Sequence, residues 1–402
     1  MNVSKQLEYP VKILIVDDSW VLRRVLRGTL SQKPDVEIVG EATNGIEALG
    51  MVLNLEPDVI LLDMEMPVMD GMTTLQHLMI HTPTPTVVLS SLSKKGTARC
   101  FDALKYGAVD FVSKNSFFKG MDGAAHSKLV LSKVFEAAAM SVHSIDPMQQ
   151  TSGSGIIGKI REKVIFCEDC GNRQAVKVWP PKENSLRCGK CGDEISLMAN
   201  KRYRRMNYIT VIGSGESGYA NLLKIIPALN PEMGGAVCVM VLDEHERVES
   251  FVKYLDAICD FEVVLGQDGI TLEGGCCYIF SGNESVSLSP YSGHFSFLVH
   301  PSSSNDEHSP IDGLMHSVAS LLKVRASGVL VSGAETDGKF GMNAIVKEKG
   351  SCFVLSPAHC LHRKMVSGPL QIHDLHDDLD EIRLAARIQK CHFANKENVI
   401  TA

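Results

Sequence analysis

The feature that most constrains the fold is a series of short apolar runs, each followed by a polar or charged residue. K-I-L-I-V precedes Asp17 and Asp18, V-I-L-L precedes Asp63, T-V-V-L precedes Ser90, and V-D-F-V-S precedes Lys114. Runs that are apolar on both faces are typical of buried parallel strands. Helical patterns follow the strands at 19–31, 45–55, 71–80 and 95–106. The alternation predicts a doubly wound α/β domain.

The polar residues at the ends of these runs are expected to meet, because the carboxyl ends of parallel strands border one crevice. The carboxylates of Asp17, Asp18 and Asp63 would repel one another unless a hard divalent cation lay among them, and Mg²⁺ is the usual one. The Ser90 hydroxyl and the Lys114 ammonium complete a set suited to phosphoryl transfer. The alternative is that these aspartates only end strands and cap helices.

Length, charge and cysteine use narrow the class of protein. A chain of 402 residues predicts two or three domains. No apolar run reaches the roughly 18 residues that span a bilayer, and M-N-V-S-K-Q-L-E-Y-P has no signal-peptide core. The net charge of −7 argues against nucleic acid as the main partner. Twelve cysteines without a secretion signal favour a reducing cytoplasm, where we expect the protein to reside.

Four of the cysteines form a metal-binding pattern. Cys167 and Cys170 are one C-x₂-C pair, and Cys188 and Cys191 are a second, each followed by glycine. Two such pairs predict a closed, tetrahedral Cys₄ site for structural Zn²⁺, whose binding would fold a segment too short to build its own core. A redox dithiol is the alternative, and it lacks the neighbouring βαβ unit. The basic run at 201–205 could contact nucleic acid with this ribbon, although a solvated linker fits the acidic chain better.

Residues 11–125 resemble the receiver domain of two-component response regulators. The M-P-V-M-D-G stretch after Asp63 fits the resemblance, and Asn115 departs from the proline usual after the lysine. The resemblance implies phosphorylation by a histidine kinase, with the roles carried over by position: Asp63 as phospho-acceptor, Asp17 and Asp18 as Mg²⁺ ligands, Ser90 (or Ser91) as switch hydroxyl, Phe111 as switch aromatic and Lys114 as the ammonium.

Residues 207–372 resemble the catalytic domain of CheB-type chemotaxis protein-glutamate methylesterases. The matching stretches are V-S-G-A-E-T-D-G-K-F-G-M, G-C-C-Y-I-F-S-G-N and S-P-I-D-G-L-M-H-S-V-A. In that family a Ser-His-Asp triad hydrolyses methyl esters on chemoreceptors, and the receiver covers the active site until it is phosphorylated. The resemblance places Asp337 at the triad aspartate.

The other two members of the triad are missing at the corresponding positions. The family's G-A-S-T-G-G becomes Gly213-Ser214-Gly215-Glu216-Ser217-Gly218, which puts Gly215 at the serine. Counting along the next strand puts Leu242 at the histidine. A triad without nucleophile and base keeps only binding and oxyanion donors. We therefore expect a degenerate triad and a domain that acts by binding a chemoreceptor or another signalling protein.

Two alternatives remain open at this point. Ser214 or Ser217 could form a shifted pair with His245, since triads are recognised by geometry rather than position. The Gly213-x-Gly215-x-x-Gly218 spacing, with Asp243 ending the next strand, also matches a dinucleotide-binding fingerprint.

The expected organisation has six parts. These are the receiver (1–125), a helix and flexible linker (126–164), the zinc ribbon (165–195), a basic linker (196–206), the methylesterase-like domain (207–372) and a charged tail (373–402).

Overall fold

The computed structural model describes most of both α/β domains and part of the segment between them. The described residues are 10–31, 33–90, 94–114, 123–142, 161–166, 173–178, 185–192, 194–196, 206, 208–291, 294–301, 309–369 and 379–400. The basic run at 201–205 lies outside them. No helix in these ranges is long and apolar enough to cross a membrane.

The N-terminal domain is a five-stranded parallel sheet with helices on both faces. Its strands are β1 (Val11–Val16), β2 (Val36–Ala42), β3 (Val59–Asp63), β4 (Thr86–Ser90) and β5 (Asp110–Ser113). Its helices are α1 (Trp20–Leu30), α2 (Gly45–Leu55), α3 (Gly71–His81), α4 (Lys94–Lys105) and α5 (Gly123–Ala138). The spatial order β2-β1-β3-β4-β5 is that of flavodoxin-like sheets, and its topological switch point lies between β1 and β3.

Alternate strand residues supply two cores, one on each face of this sheet. Ile13 and Ile15 of β1 pack in one cluster with Val130 of α5, whereas Leu14 and Val16 belong to the cluster on the opposite face. Because α5 contributes to the first cluster, this helix is part of the receiver domain, which extends beyond residue 125.

The segment between the domains contains two antiparallel hairpins. The first pairs β6 (Arg161–Phe166) with β7 (Arg173–Val178), and the second pairs β8 (Ser185–Arg187) with β9 (Glu194–Ser196). In sequence, each C-x₂-C pair lies between the two strands of one hairpin. That arrangement matches the expected ribbon, whose first pair lies outside the described residues.

The C-terminal domain has a six-stranded parallel sheet in the order β12-β13-β11-β10-β16-β17. Its strands are β10 (Ile209–Gly215), β11 (Ala236–Leu242), β12 (Glu262–Leu265), β13 (Cys276–Ser281), β16 (Ala326–Leu330) and β17 (Ser351–Val354), and the hairpin β14 (Glu284–Tyr291) with β15 (His294–Pro301) accompanies them. β16 ends at Leu330, and the loop after it (the β16 loop, residues 331–338) crosses the end of β10, where the Gly215 N–H donates to the Ser332 carbonyl.

Helices cover this second sheet. They are α6 (Tyr219–Ile225), α7 (His245–Ile258), α8 (Pro310–Leu322), α9 (Lys339–Lys347), α10 (Lys364–Ser367) and α11 (Glu381–Ile400). Leu384, Ile388 and His392 of α11 are fully buried in the domain core. The segment expected to be a separate tail is therefore anchored on the methylesterase-like domain.

Candidate functional site

The acidic side chains singled out by the sequence meet at the switch point of the first sheet. Asp17 and Asp18 follow β1, and Asp63 ends the neighbouring β3. Among the described residues, these three form a cluster whose ligand oxygens all lie within 4.8 Å of one another. Asp17 and Asp63 are buried and Asp18 is exposed, so the cluster reaches solvent on the Asp18 side.

Lys114 bridges two of these carboxylates. Its Nζ lies 2.6 Å from Asp63 Oδ2 and 2.9 Å from Asp17 Oδ2. Burial raises the pKa of Asp63 to about 6, although the ammonium of Lys114 opposes the rise. The charge of Asp17 raises the pKa of Asp63 further. The pocket therefore holds more negative charge than one ammonium offsets.

The same pocket fits a hard divalent cation. Asp17 Oδ2 is buried, and the Lys114 ammonium beside it stands where a bound cation could take over the charge compensation. Asp17 Oδ1 and Asp63 Oδ1 accept the backbone N–H groups of Ser19 and Glu65 at 2.8 and 3.1 Å, which orients both carboxylates. A set of carboxylate oxygens without sulfur or imidazole is what Mg²⁺ takes.

The two switch positions lie on the strands next to this pocket. Ser90 ends β4 and is buried, in register with Ser113 of β5. Ser91 lies outside the described residues. Phe111 on β5 is 8% exposed and makes an edge contact with Phe101 of α4, with ring centroids 6.3 Å apart. The Phe111 ring therefore packs against α4 rather than pointing into solvent. The opposite partner of α4 is the methylesterase-like domain, called the effector domain from here on.

One half of the expected zinc site is described. Cys188 is buried in the turn after β8, and its Sγ accepts the Lys190 backbone N–H at 3.4 Å. Gly192 closes the turn with φ +79° and donates its N–H to the Cys188 carbonyl at 3.0 Å. Cys191 is exposed, and Cys167 and Cys170 lie outside the described residues. These contacts describe one turn of the segment, and the Cys₄ zinc site remains a prediction.

In the second domain, the positions that correspond to the triad serine and histidine lie side by side. Gly215 ends β10 and pairs in register with Leu242 at the end of β11. The sheet order places the switch point of this domain between β10 and β16, so the crevice lies where a catalytic site of this topology belongs. Neither side chain there can act as a nucleophile or base.

The chain's own backbone fills the space above Gly215. Its N–H donates to the Ser332 carbonyl at 2.9 Å. A Cβ at this position would lie 2.7 Å from Gly333 Cα and 2.7 Å from Glu335 Oε2, closer than real Cβ contacts come. A serine at Gly215 would therefore need the β16 loop to move.

The structure does not bring the alternative catalytic serines, Ser214 and Ser217, together with His245. Ser214 is buried and donates to the Gly215 carbonyl at 2.9 Å, and the Ser217 hydroxyl shares a hydrogen bond with the Ser332 hydroxyl at 2.9 Å. The half-exposed His245 places its Nδ1 3.3 Å from Glu284 Oε1. Within the described parts of the chain, neither serine bonds to an imidazole.

Asp337, which the sequence resemblance places at the triad aspartate, caps a helix. Its Oδ2 accepts the Ile311 N–H at 2.8 Å, and its Oδ1 accepts those of Asp312 and Gly338 at 3.0 and 2.7 Å. Asp312 in turn accepts the Gly341 N–H in the first turn of α9, at 2.5 Å. Burial raises the pKa of Asp337 to about 6, and the three backbone donors oppose the rise. The two aspartates thus hold the N-termini of α8 and α9 reciprocally.

The glycines that suggested a dinucleotide fingerprint serve packing. A Cβ on Gly213 would press on the side chains of Ile311 and Leu330, and one on Gly218 would meet the Ser332 carbonyl at 2.9 Å. Asp243 is also engaged. Its carboxylate accepts from the Tyr219 hydroxyl at 2.8 Å and from Arg247, and its side chain is 3% exposed. Because these contacts occupy the Asp243 carboxylate, it is not placed to bind the ribose of a dinucleotide.

Sequence reasoning missed the charged residues between the two domains. Lys133 of α5 bridges Asp110 of the receiver and Glu216 of the effector. A signal existed, because Lys133 stands three residues after Val130 and four before Ala137 on the apolar face of its helix, where a charge requires a buried partner. Its partner Glu216 carried no such signal, because the contact joins residues 83 positions apart.

The chain matches two known families and their full-length members. The response regulator receiver domain matches residues 13–122, and the CheB methylesterase domain matches residues 210–385. A protein-glutamate methylesterase/protein-glutamine glutaminase 2 of Carboxydothermus hydrogenoformans is 30% identical over 278 residues, which are 69% of this chain and 68% of that protein. One of the same name from Methanosarcina mazei is 28% identical over 393 residues, 94% of this chain and 98% of that protein.

A third relative, the protein-glutamate methylesterase/protein-glutamine glutaminase of Halalkalibacterium halodurans, is 27% identical over 351 residues, 87% of this chain and 88% of that protein. These matches run through both α/β domains and keep their order. The chain therefore belongs to the family of CheB-type proteins, in which a receiver domain precedes a methylesterase domain.

Proposed function

We propose that this protein is a response regulator phosphorylated on Asp63 by a histidine kinase, and that its methylesterase-like domain works by binding a partner rather than by hydrolysing esters. The observation that carries the second part is the position of Gly215. It lacks a nucleophile and is covered by the β16 loop, with Gly333 Cα only 2.7 Å from the position that a serine Cβ would take.

The phosphoryl-transfer step follows from the pocket. The Asp63 carboxylate attacks phosphorus of a phosphohistidine, so that an O–P bond forms as the N–P bond breaks and the imidazole leaves. Asp17, Asp18 and Asp63 would hold Mg²⁺, which neutralises charge on the transferred group. Lys114, already 2.6 Å from Asp63, would offset charge on the equatorial oxygens. Ser90, at the end of the adjacent strand, would bond to the phosphoryl group and pass its presence to Phe111.

The binding partner is inferred from the relatives. Their names describe proteins that act on glutamate methyl esters and glutamine in other proteins. The domain surface around a site of that descent is suited to another protein, and a chemoreceptor or related signalling protein is the partner class we propose. The same names favour a second candidate function, an active methylesterase that uses Ser214 or Ser217 with His245.

A structural Zn²⁺ in the linker segment is part of the proposal. Two short hairpins with C-x₂-C turns have little core of their own, so the metal would supply their folding energy. Purified protein should contain about one equivalent of zinc, lost in Cys188→Ser and kept in Cys360→Ser, a buried cysteine of the other domain. Zinc-free protein with an intact ribbon would rule the site out.

One experiment separates the two candidate functions. The protein is incubated with acetyl phosphate and Mg²⁺ and then with methyl-labelled chemoreceptor, and methanol release is followed beside receptor co-sedimentation. We expect phosphorylation-dependent co-sedimentation, with methanol at the level of a Ser214→Ala/Ser217→Ala double variant. Methanol release that the double variant loses would establish the active enzyme instead.

A further inference from the structure

The interface between the two domains is built on aromatic rings. Phe101 of α4 is fully buried, with its ring centroid 5.4, 5.1 and 5.6 Å from those of Tyr219, Phe251 and Tyr254 of the effector. The Tyr254 hydroxyl also donates to Asp102 Oδ1 at 2.6 Å. The receiver is therefore seated on α6 and α7 by a continuous apolar core.

A chain of charges runs beside this core. Lys133 Nζ lies 2.5 Å from Asp110 Oδ2 and 3.0 Å from Glu216 Oε1, and is almost fully buried. Burial disfavours its charge, but the two carboxylates leave the pKa of Lys133 above its usual value. Glu216 Oε2 then lies 3.4 Å from Nη1 of Arg247 on α7. The chain therefore leads from β5 of the receiver to α7 of the effector.

Arg247, the last residue of this series of charges, also contacts the receiver. Its guanidinium carbon lies 5.8 Å from the centre of the Phe111 ring, within the range of a cation–π contact. Asp243 holds the same guanidinium, with both carboxylate oxygens 3.0 Å from Nη1. The Phe111 backbone N–H donates to Asp110 Oδ1 at 2.7 Å. Phe111 is thus held through its backbone and through the face of its ring by the two ends of one network.

We propose that Arg247 is the residue by which the effector domain senses the switch state of the receiver, through its contact with the Phe111 ring. The inference rests on the proposed role of Asp63 and extends it to a named contact in the other domain. A rotation of Phe111 removes a π face from a guanidinium that Asp243 keeps in place. Arg247 therefore has different contact energies with the two receiver states, as any sensor must.

The direction of the effect follows from the pocket. Lys114 is paired with the Asp63 carboxylate itself, so the contacts described belong to the unmodified receiver. Arg247 stabilises that state, and by reciprocity it must oppose phosphorylation of Asp63. If acetyl phosphate modifies the receiver in its active state, the phosphorylation rate follows the population of that state, and removing one cation–π contact of ordinary strength should raise both by about fivefold.

The test measures the rate of Asp63 phosphorylation by acetyl phosphate and Mg²⁺ in the full chain. Arg247→Gln should be about fivefold faster than the unsubstituted protein. Lys253→Gln, which removes an exposed cation from the same helix, should match the unsubstituted protein. Circular dichroism checks that each variant is folded.

A second comparison isolates the ring contact. In a Phe111→Leu background, Arg247→Gln should bring no further acceleration, because the ring is already gone. An unchanged rate in Arg247→Gln, or an equal acceleration in both backgrounds, would overturn the proposal. Absence of phosphorylation in every variant, with the unsubstituted protein included, would instead refute the assignment of Asp63.

Discussion

The receiver pocket and the effector crevice occupy equivalent places and have opposite contents. Both lie at a topological switch point, beyond the carboxyl ends of parallel strands. In the receiver, three carboxylates and an ammonium converge on a cluster that reaches solvent. In the effector, the corresponding space holds Gly215, Leu242 and the chain's own β16 loop. The fold supplies the place, and only the side chains decide whether chemistry happens there.

The aspartates of the two sites sharpen this contrast. Asp63 is paired with Lys114, a side chain that a phosphoryl group can recruit. Asp337 has a similarly raised pKa but directs its oxygens to three backbone N–H groups. Under the proposed function, Asp63 is held for reaction, whereas Asp337 stabilises two helix N-termini.

The largest effect is expected at the phospho-acceptor. Asp63→Asn should abolish phosphorylation by acetyl phosphate, because an amide oxygen cannot replace the carboxylate nucleophile. Asp35→Asn, an exposed aspartate of the same domain, serves as the control and should be phosphorylated normally. Intact-mass spectrometry measures both. Normal phosphorylation of the Asp63 variant would move the reactive site elsewhere and end the comparison.

At the effector site, the expected loss is one of stability. Asp337→Ala removes the acceptor of three backbone N–H groups and should lower the free energy of unfolding by about 3 kcal/mol. Asp268→Ala, which removes one exposed carboxylate bonded to the Val299 N–H, should cost about 1 kcal/mol or less. Urea unfolding of the full chain compares them. Equal losses of unfolding free energy in the two variants would mean that the hydrogen bonds accepted by Asp337 contribute little to stability.

Both α/β folds and the receiver pocket could be predicted from the sequence, because they depend on local signals. Apolar runs mark buried strands, and a polar residue just past each run falls at a known edge of the sheet. The interface could not be predicted, since Lys133, Glu216 and Arg247 meet only after two domains dock. Nor does spacing show that Gly333 covers Gly215, because this contact joins a strand end to a loop more than a hundred residues away.

The burial of His392 in the C-terminal helix α11 is a further feature that could not be predicted from the sequence. His392 is fully buried, with its Nε2 2.8 Å from Thr210 Oγ1. Its segment looked charged and amphipathic, so it was expected to be a tail. Only the tertiary structure shows that this imidazole fills the space beside Gly235.

This histidine predicts a pH dependence of the effector's stability. Burial lowers the pKa of His392 to about 3, so the unfolded chain takes up a proton below its ordinary pKa of about 6.5 while the folded chain does not. Stability should fall as the pH drops below that value, by about 2 kcal/mol at about pH 5.

Urea unfolding at several pH values tests this dependence. The fall between neutral pH and about pH 5 should be smaller in His392→Gln by that amount and unchanged in His316→Gln, an exposed histidine on α8. If the His392 variant keeps the full pH dependence, its imidazole is not the group responsible.

The smallest expected effect concerns backbone strain beside the receiver pocket. Val68, in the M-P-V-M-D-G loop after Asp63, is 80% exposed and has φ +70°, a conformation that β-branched residues rarely adopt. Val68→Asn should stabilise the protein by about 1 kcal/mol. Val324→Asn, an exposed valine without positive φ, should not stabilise it. Thermal unfolding compares the two, and equal midpoints would show that the loop relaxes without cost.

Chemical labelling tests most directly whether Asp63 is the one reactive site among the residues that the structure describes. The full-length protein is treated with acetyl phosphate, Mg²⁺ and a serine-directed fluorophosphonate, and modified residues are mapped by peptide mass spectrometry. We expect a phosphoryl group on Asp63 and no phosphonyl adduct in the effector domain. An adduct on Ser214 or Ser217 would contradict this expectation, because such an adduct would show an activated serine in a crevice that the β16 loop covers.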